Sequence, residues 1–253
     1  MFCSAPGGGF NPLFSIEDDK ALGQQLEAEI AANPQEYPIL DKKQYPSAYG
    51  YLERMRDEII ASGNVVYANK FEWNLYIIHD DETLNAFCAP GGYIYVYTGL
   101  IKYLDDASSL AGVMGHEMAH ADERHSVNQM TKMYGIEILT QVALGENTSD
   151  AVEISKALVG LKFSRGDETE ADRRSVEYLC NTKYHHDGTA NFFKKMQEAG
   201  MGQPPEFMST HPSHENRIEE IQTYAAEQTN FKAKLSEQEN TQGYAAFKRM
   251  LPQ

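Results

Sequence analysis

Long apolar runs, basic excess and a cysteine framework are all missing from this chain of 253 residues. No stretch approaches the roughly 18–20 uninterrupted apolar residues of a helical membrane span. The amino terminus has no charged segment leading into an apolar one, so any secretory leader would already have been removed. Lys and Arg number 22 against 37 Asp and Glu, a formal net charge of −15. That balance argues against a nucleic-acid backbone or an anionic membrane surface as the main partner.

Cysteine is scarce as well. Cys3, Cys88 and Cys180 are too few and too scattered for a disulfide framework or a thiolate metal site. Cys88 and Cys180 read as buried small hydrophobes or, in an oxidising compartment, as a disulfide. Cys3 opens the Gly-rich stretch Ser4 to Gly9, and two readings stay open. It resembles the lipid-anchored end of a mature bacterial lipoprotein, or it is an ordinary tail.

With 42% hydrophobic residues the chain can bury a substantial core as one large domain. Ser15 offers a capping start to a helix over 16–32, stopped at Asn33-Pro34, and a second helix runs over 48–61. The pattern then turns to strands over 71–78, 85–89 and 93–97, with Pro90-Gly91-Gly92 as the turn between the last two. Helices follow over 129–144, 150–162, 167–180, 189–199 and 214–227, and 243–251 forms a short docking helix.

Between the strands and the later helices lies Gly115-His116-Glu117-Met118-Ala119-His120. Two histidines four apart share a helix face with β-carbons about 6 Å apart, so both rings reach one cation. Zinc accepts imidazole nitrogen at about 2.0–2.1 Å, and a catalytic zinc usually takes three protein ligands plus water. Glu117 is then the general base that receives the water's proton. Three fixed residues also arise by chance in on the order of one chain of this length in a hundred. The apolar flanks Leu110, Ala111, Val113, Met114 and Met118 weigh against a solvated helix, because polar groups on a buried helix need partners.

The third ligand is sought in Ser164-Arg165-Gly166-Asp167-Glu168-Thr169-Glu170-Ala171-Asp172. Glu168 and Asp172 share a face, so one carboxylate can bind metal while the other accepts the far N–H of a ligand histidine. Glu170 is the rival ligand but projects about 160° away, toward solvent. An acidic first turn that complements the helix dipole is the competing reading.

H-E-x-x-H followed 48 residues later by E-x-x-x-D resembles the M48 peptidase family. So do Asn85-Ala86-Phe87-Cys88-Ala89-Pro90-Gly91-Gly92, Thr98-Gly99-Leu100, the turn over Tyr184 to Gly188, and Thr210-His211-Pro212 with Arg217. Cys88 and His185-His186 depart from the family pattern without touching the inferred chemistry. The resemblance implies an α+β fold, a mostly helical zincin of gluzincin type with a small sheet before the H-E-x-x-H helix. It also implies one zinc per chain on His116, His120 and Glu168, with Glu117 as base and Asp172 orienting a ligand. His211 becomes the oxyanion donor or a gating ligand, assisted by Arg217, although a plain loop is the alternative for His211-Pro212. Asn85, Ala86, Phe87, Cys88 and Ala89 are the edge strand to which an extended polypeptide adds. His79, His125, His185, His186 and His214 receive no metal role and read as surface or capping residues.

The expected organisation is a flexible tether over 1–14, a zinc metallopeptidase domain over 15–230 and a partly helical, docked tail over 231–253. The leading function is a zinc endopeptidase acting on extended or misfolded polypeptides in a bacterial envelope or periplasm, with a lipid anchor at Cys3. The alternative is a chaperone-like peptide-binding protein whose zinc site is held shut. A zinc exopeptidase is a third option, for which the sequence offers no pocket for a substrate terminus.

Overall fold

The computed structural model describes residues 14–199, 206–212, 216–229, 232 and 234–253. Cys3 and the rest of the expected tether through residue 13 lie outside them, as does His214. Phe14, placed at the end of that tether, is fully buried, and its carbonyl accepts from Arg124 Nη2 at 2.6 Å.

In chain order the elements are α1 (Ile16–Ala31), α2 (Pro46–Ile60), β1 (Leu75–Ile78), β2 (Ala86–Ala89), β3 (Tyr93–Tyr97), α3 (Thr98–Tyr103) and α4 (Ala107–Asp122). Then come α5 (His125–Tyr134), α6 (Ile136–Ala143), α7 (Thr148–Val159), α8 (Arg165–Cys180), α9 (Gly188–Glu198), α10 (Glu206–Thr210), α11 (Arg217–Glu227) and α12 (Glu237–Lys248). The fold is α+β and zincin-like, with a small sheet set before a helix-rich remainder.

Among the described residues the sheet has the order β1-β3-β2, β1 parallel and β2 antiparallel to the central β3. Gly91 and Gly92, at φ 75° and 87°, take the left-handed conformations that a tight β2–β3 turn requires of a residue without a side chain. The first strand is shorter than its aromatic run suggests. Trp73 sits at φ 48°, a conformation that extended pairing excludes, so regular pairing starts at Leu75.

Every residue of α4 is buried. Asp106 caps it, accepting from Ser109 N at 2.9 Å, and its glycines let neighbouring helices approach closely. A β-carbon on Gly112 would stand 2.2 Å from the Thr189 backbone nitrogen of α9, and one on Gly115 would stand 2.9 Å from Ser175 Oγ of α8. Thus α4 stands at the centre of the core, packed against α8, α9 and β2.

The helix expected over 129–144 is two. Gly135, at φ 82°, ends α5 and starts α6. The expected start at 214 moves to Arg217. The tail docks through α12, with Tyr244, Phe247 and Leu251 buried in the cluster that contains α4. Asn240 Oδ1 there accepts from Ser108 N at 2.9 Å. Cys88 and Cys180 are both buried free thiols.

Candidate metal centre

The capping box of Ser164 and Asp167 fixes the start of α8 and places Glu168 in its first turn, facing the His116–His120 face of α4. The loop after α10 brings in His211, whose N–H bonds back to Phe207 O at 2.8 Å. All four side chains are buried, and one ligand atom from each lies within 4.8 Å of the others.

The separations test the site for a cation. His116 Nε2 is 3.1 Å from His120 Nε2 and 3.3 Å from His211 Nδ1. Glu168 Oε1 is 2.9 Å from His211 Nδ1 and 3.5 Å from His120 Nε2, and its Oε2 is 3.5 Å from His116 Nε2. Tetrahedral ligands at zinc's bond lengths stand about 3.3 Å apart, within the spread found here. Three ring nitrogens and a carboxylate converging in a buried site need a cation or protons between them. The N/N/N/O donor set fits zinc.

Charge points the same way. Among the described residues, the carboxylates of Glu117, Glu168 and Asp172 are buried around one guanidinium, that of Arg217. Arg217 is 1% exposed, donates to both Asp172 oxygens at 2.7 and 2.9 Å and to Glu168 Oε2 at 2.7 Å, and reaches His211 O at 3.2 Å. It therefore ties the metal-facing carboxylate, its helical neighbour and the His211 loop together. His116 Nδ1 lies 2.9 Å from Asp172 Oδ1, within ion-pair distance.

Titration preferences follow from these contacts. Burial opposes the His116 imidazolium, but Asp172 and Glu168 carry its pKa up to about 9. Burial takes His120 well below the usual histidine range. Glu168 is buried too, yet His211, His116 and His120 hold its carboxyl far below the usual range. Burial opposes the Asp172 carboxylate too, but Arg217 and His116 together hold its carboxyl below the usual range. Burial pushes Glu117 up, the direction that makes a carboxylate a better proton acceptor. Its Oε1 is 3.3 Å from His211 Nε2.

The space beside β2 is nearly filled. Ala86, Phe87, Cys88, Glu117, Phe163 and His211 line a cavity of about 10 Å³, room for roughly one water molecule. Phe163 stacks on His120 at 3.8 Å between ring centroids, and Phe207 stacks on His211 at 4.3 Å. Ala86 to Ala89 form an edge of the sheet as expected, yet all four residues are buried. Asn85 lies just before the strand and is buried as well.

Two expectations need correction. His125 is not a surface or capping residue: it is 4% exposed, with Nδ1 3.1 Å from His120 Nδ1. Glu170 is not simply solvated, since its Oε2 accepts from His125 Nε2 at 3.2 Å. Extending the helix past His120 would turn residue 125 about 140° from that face. The chain instead leaves α4 at Asp122 and reverses at Arg124, φ 60°. Phe163 and Phe207 were also missed, because nothing local to their segments signals contact with a distant histidine.

The profile of Peptidase family M48 matches residues 46–225. The Beta-barrel assembly-enhancing protease of Yersinia pestis is 26% identical over 234 residues, covering 87% of this chain and 46% of that protein. Mitochondrial metalloendopeptidase OMA1 of Schizosaccharomyces pombe is 28% identical over 224 residues, covering 86% and 64% respectively. The Arabidopsis thaliana protein of that name is 33% identical over 146 residues, covering 57% and 30%. The chain thus spans less than two thirds of the length of these relatives. Because the matched region runs from α2 into α11 and contains both halves of the metal cluster, the chain belongs to peptidase family M48.

Proposed function

We propose that the protein is a zinc-dependent endopeptidase that hydrolyses peptide bonds of extended or misfolded polypeptides. The convergence of His116, His120 and Glu168 beside the buried Glu117 carries this reading. His116, His120 and Glu168 would hold the ion, with His211 at a fourth position. Zinc, when bound, polarises a carbonyl and brings the pKa of water down to about 7. Glu117 accepts the proton of the attacking water and returns it to the leaving amine. Asp172 orients His116, and Arg217 keeps Asp172 and Glu168 in place. The segment Asn85–Ala89 binds the substrate main chain as an added strand. His211, once withdrawn from the cluster, donates to the developing oxyanion.

The test is digestion of unfolded casein by the purified protein before chelation, after chelation and after zinc is returned. Cleavage that disappears and recovers supports the reading. Cleavage indifferent to chelation removes it.

A second reading, a shut site that binds peptide without turning it over, draws support from the cavity of about 10 Å³. A peptide strand enters there only if the Leu158–Phe163 segment and His211 move. The two readings meet if this arrangement is a resting state. We further place the protein in a bacterial cell envelope, in keeping with the bacterial relative's β-barrel-assembly name, with Cys3 as its lipid anchor. No described helix is long and apolar enough to cross a membrane. Mass spectrometry of the protein from its native cell tests the anchor, and an unmodified Cys3 there rules it out.

A further inference from the structure

We propose that His125 is a positioning residue that fixes the tautomer and ring orientation of His120, with Glu170 fixing His125 in turn. The inference rests on the zinc-site reading above and adds a part to it.

The argument follows the hydrogens. Glu170 Oε2 stands 3.2 Å from His125 Nε2, and an ionised carboxylate only accepts, so that nitrogen carries the hydrogen. Asp167 Oδ1, 4.0 Å from the same nitrogen, adds to the preference. In neutral imidazole the other nitrogen is then bare. His125 Nδ1 lies 3.1 Å from His120 Nδ1, where two bare lone pairs would repel and two N–H groups would collide. Facing a neutral His125, His120 Nδ1 is the donor. That leaves the lone pair of His120 on Nε2, the atom 3.1 Å from His116 Nε2 and 3.5 Å from Glu168 Oε1.

The same bond selects the ring flip. A half-turn of the His120 ring would put carbon where each nitrogen now stands, and Phe163 stacked on its face at 3.8 Å would accommodate either state. From outside the cluster, it is the contact with His125 that tells them apart, while His116 and Glu168 read the same choice at Nε2. His116 has a carboxylate at its far nitrogen, Asp172 at 2.9 Å. His120 has an imidazole there, with a carboxylate behind it. Both rings are thus oriented from outside the cluster, His116 directly and His120 through a relay.

The test uses zinc alone, with affinity read by competition against a chromogenic chelator, for wild type, His125→Phe, His125→Asn and Glu170→Ala. His125→Phe keeps a ring but removes the acceptor, and should weaken zinc binding about 10–100-fold. Asn carries an oxygen close to where His places Nδ1, so His125→Asn should stay near wild type despite its lost ring. Glu170→Ala lies on a side chain that is 36% exposed, so it tests the relay without disturbing the core, and it should lose affinity less than His125→Phe does. Near-wild-type affinity in His125→Phe, or equal losses in the Phe and Asn variants, overturns the inference while leaving the zinc site standing. Should His125→Phe fail to fold, undiminished affinity in Glu170→Ala overturns it instead. A wild-type protein that takes up no zinc overturns the site and the relay together.

Discussion

Replacing Arg217 by Met keeps much of the side-chain volume and withdraws the guanidinium from Asp172, Glu168 and the carbonyl of His211. The residue is 1% exposed and its three carboxylate contacts are all 2.7–2.9 Å. Removing one partner of such a buried pair leaves the other as an uncompensated charge, which costs about 3–5 kcal/mol. Urea unfolding of metal-free wild type and Arg217→Met at pH 7 reads that difference directly. Asp172→Asn in the same background removes one of the stranded carboxylates, so the double variant should recover part of the loss. The coupling between the two positions should fall in the range of about 0.5–3 kcal/mol. A single-variant loss below about 1 kcal/mol, or strict additivity in the double variant, would refute the view of Arg217 as the counter-charge of this cluster.

Three further outcomes follow from other contacts. Gly112→Ala sets a methyl 2.2 Å from the Thr189 backbone nitrogen, so α4 and α9 must part; thermal or urea unfolding should show at least the 1–3 kcal/mol typical of overpacking, roughly, and an unchanged midpoint contradicts the packing. Asp19 is pushed up to about 6 by burial, which the hydrogen bonds and charge of Arg124 only partly offset. Its folded pKa lies above the unfolded value of 3.8, so the folded chain holds the extra proton, and this group's contribution to stability falls as pH rises from about 4 to about 6. A carboxyl NMR titration of Asp19 with its midpoint below 4 would contradict that. Phe163→Ala loosens the filled space beside β2; casein turnover should rise in it if the site rests shut and fall in His211→Ala, which loses the oxyanion donor, whereas a fall in Phe163→Ala would make that ring part of the working site.

How much of this was legible in the sequence differs by residue. The H-E-x-x-H helix and the Glu168–Asp172 face were readable because helical periodicity alone brings four-residue neighbours together, and the structure brings His116, His120 and Glu168 into one buried group, with Asp172 buried beside His116. Pro90-Gly91-Gly92 announced its turn through residues that tolerate positive φ. Where one residue overrides a periodic pattern, the reading failed. Gly135 splits a helix whose apolar spacing runs on across the break, and Trp73 adopts a positive φ that its strand-favouring chemistry gives no reason to expect. His125 was missed for the same cause, since Arg124 reverses the chain and periodicity does not extend through a reversal. Phe163 and Phe207 reach the histidines only through tertiary packing, which leaves no local trace. Helix α12 was expected as a short docking element, and its bond from Ser108 to Asn240 across 132 positions is likewise invisible along the chain.

The most direct test of the central claim compares wild type with Glu117→Gln for zinc content and casein cleavage, side by side. General-base catalysis is worth typically about 10²–10⁴-fold. The account predicts one zinc in each protein and cleavage that falls by at least the lower of those factors in the variant. Equal cleavage by the two proteins, with zinc bound in both, would contradict it.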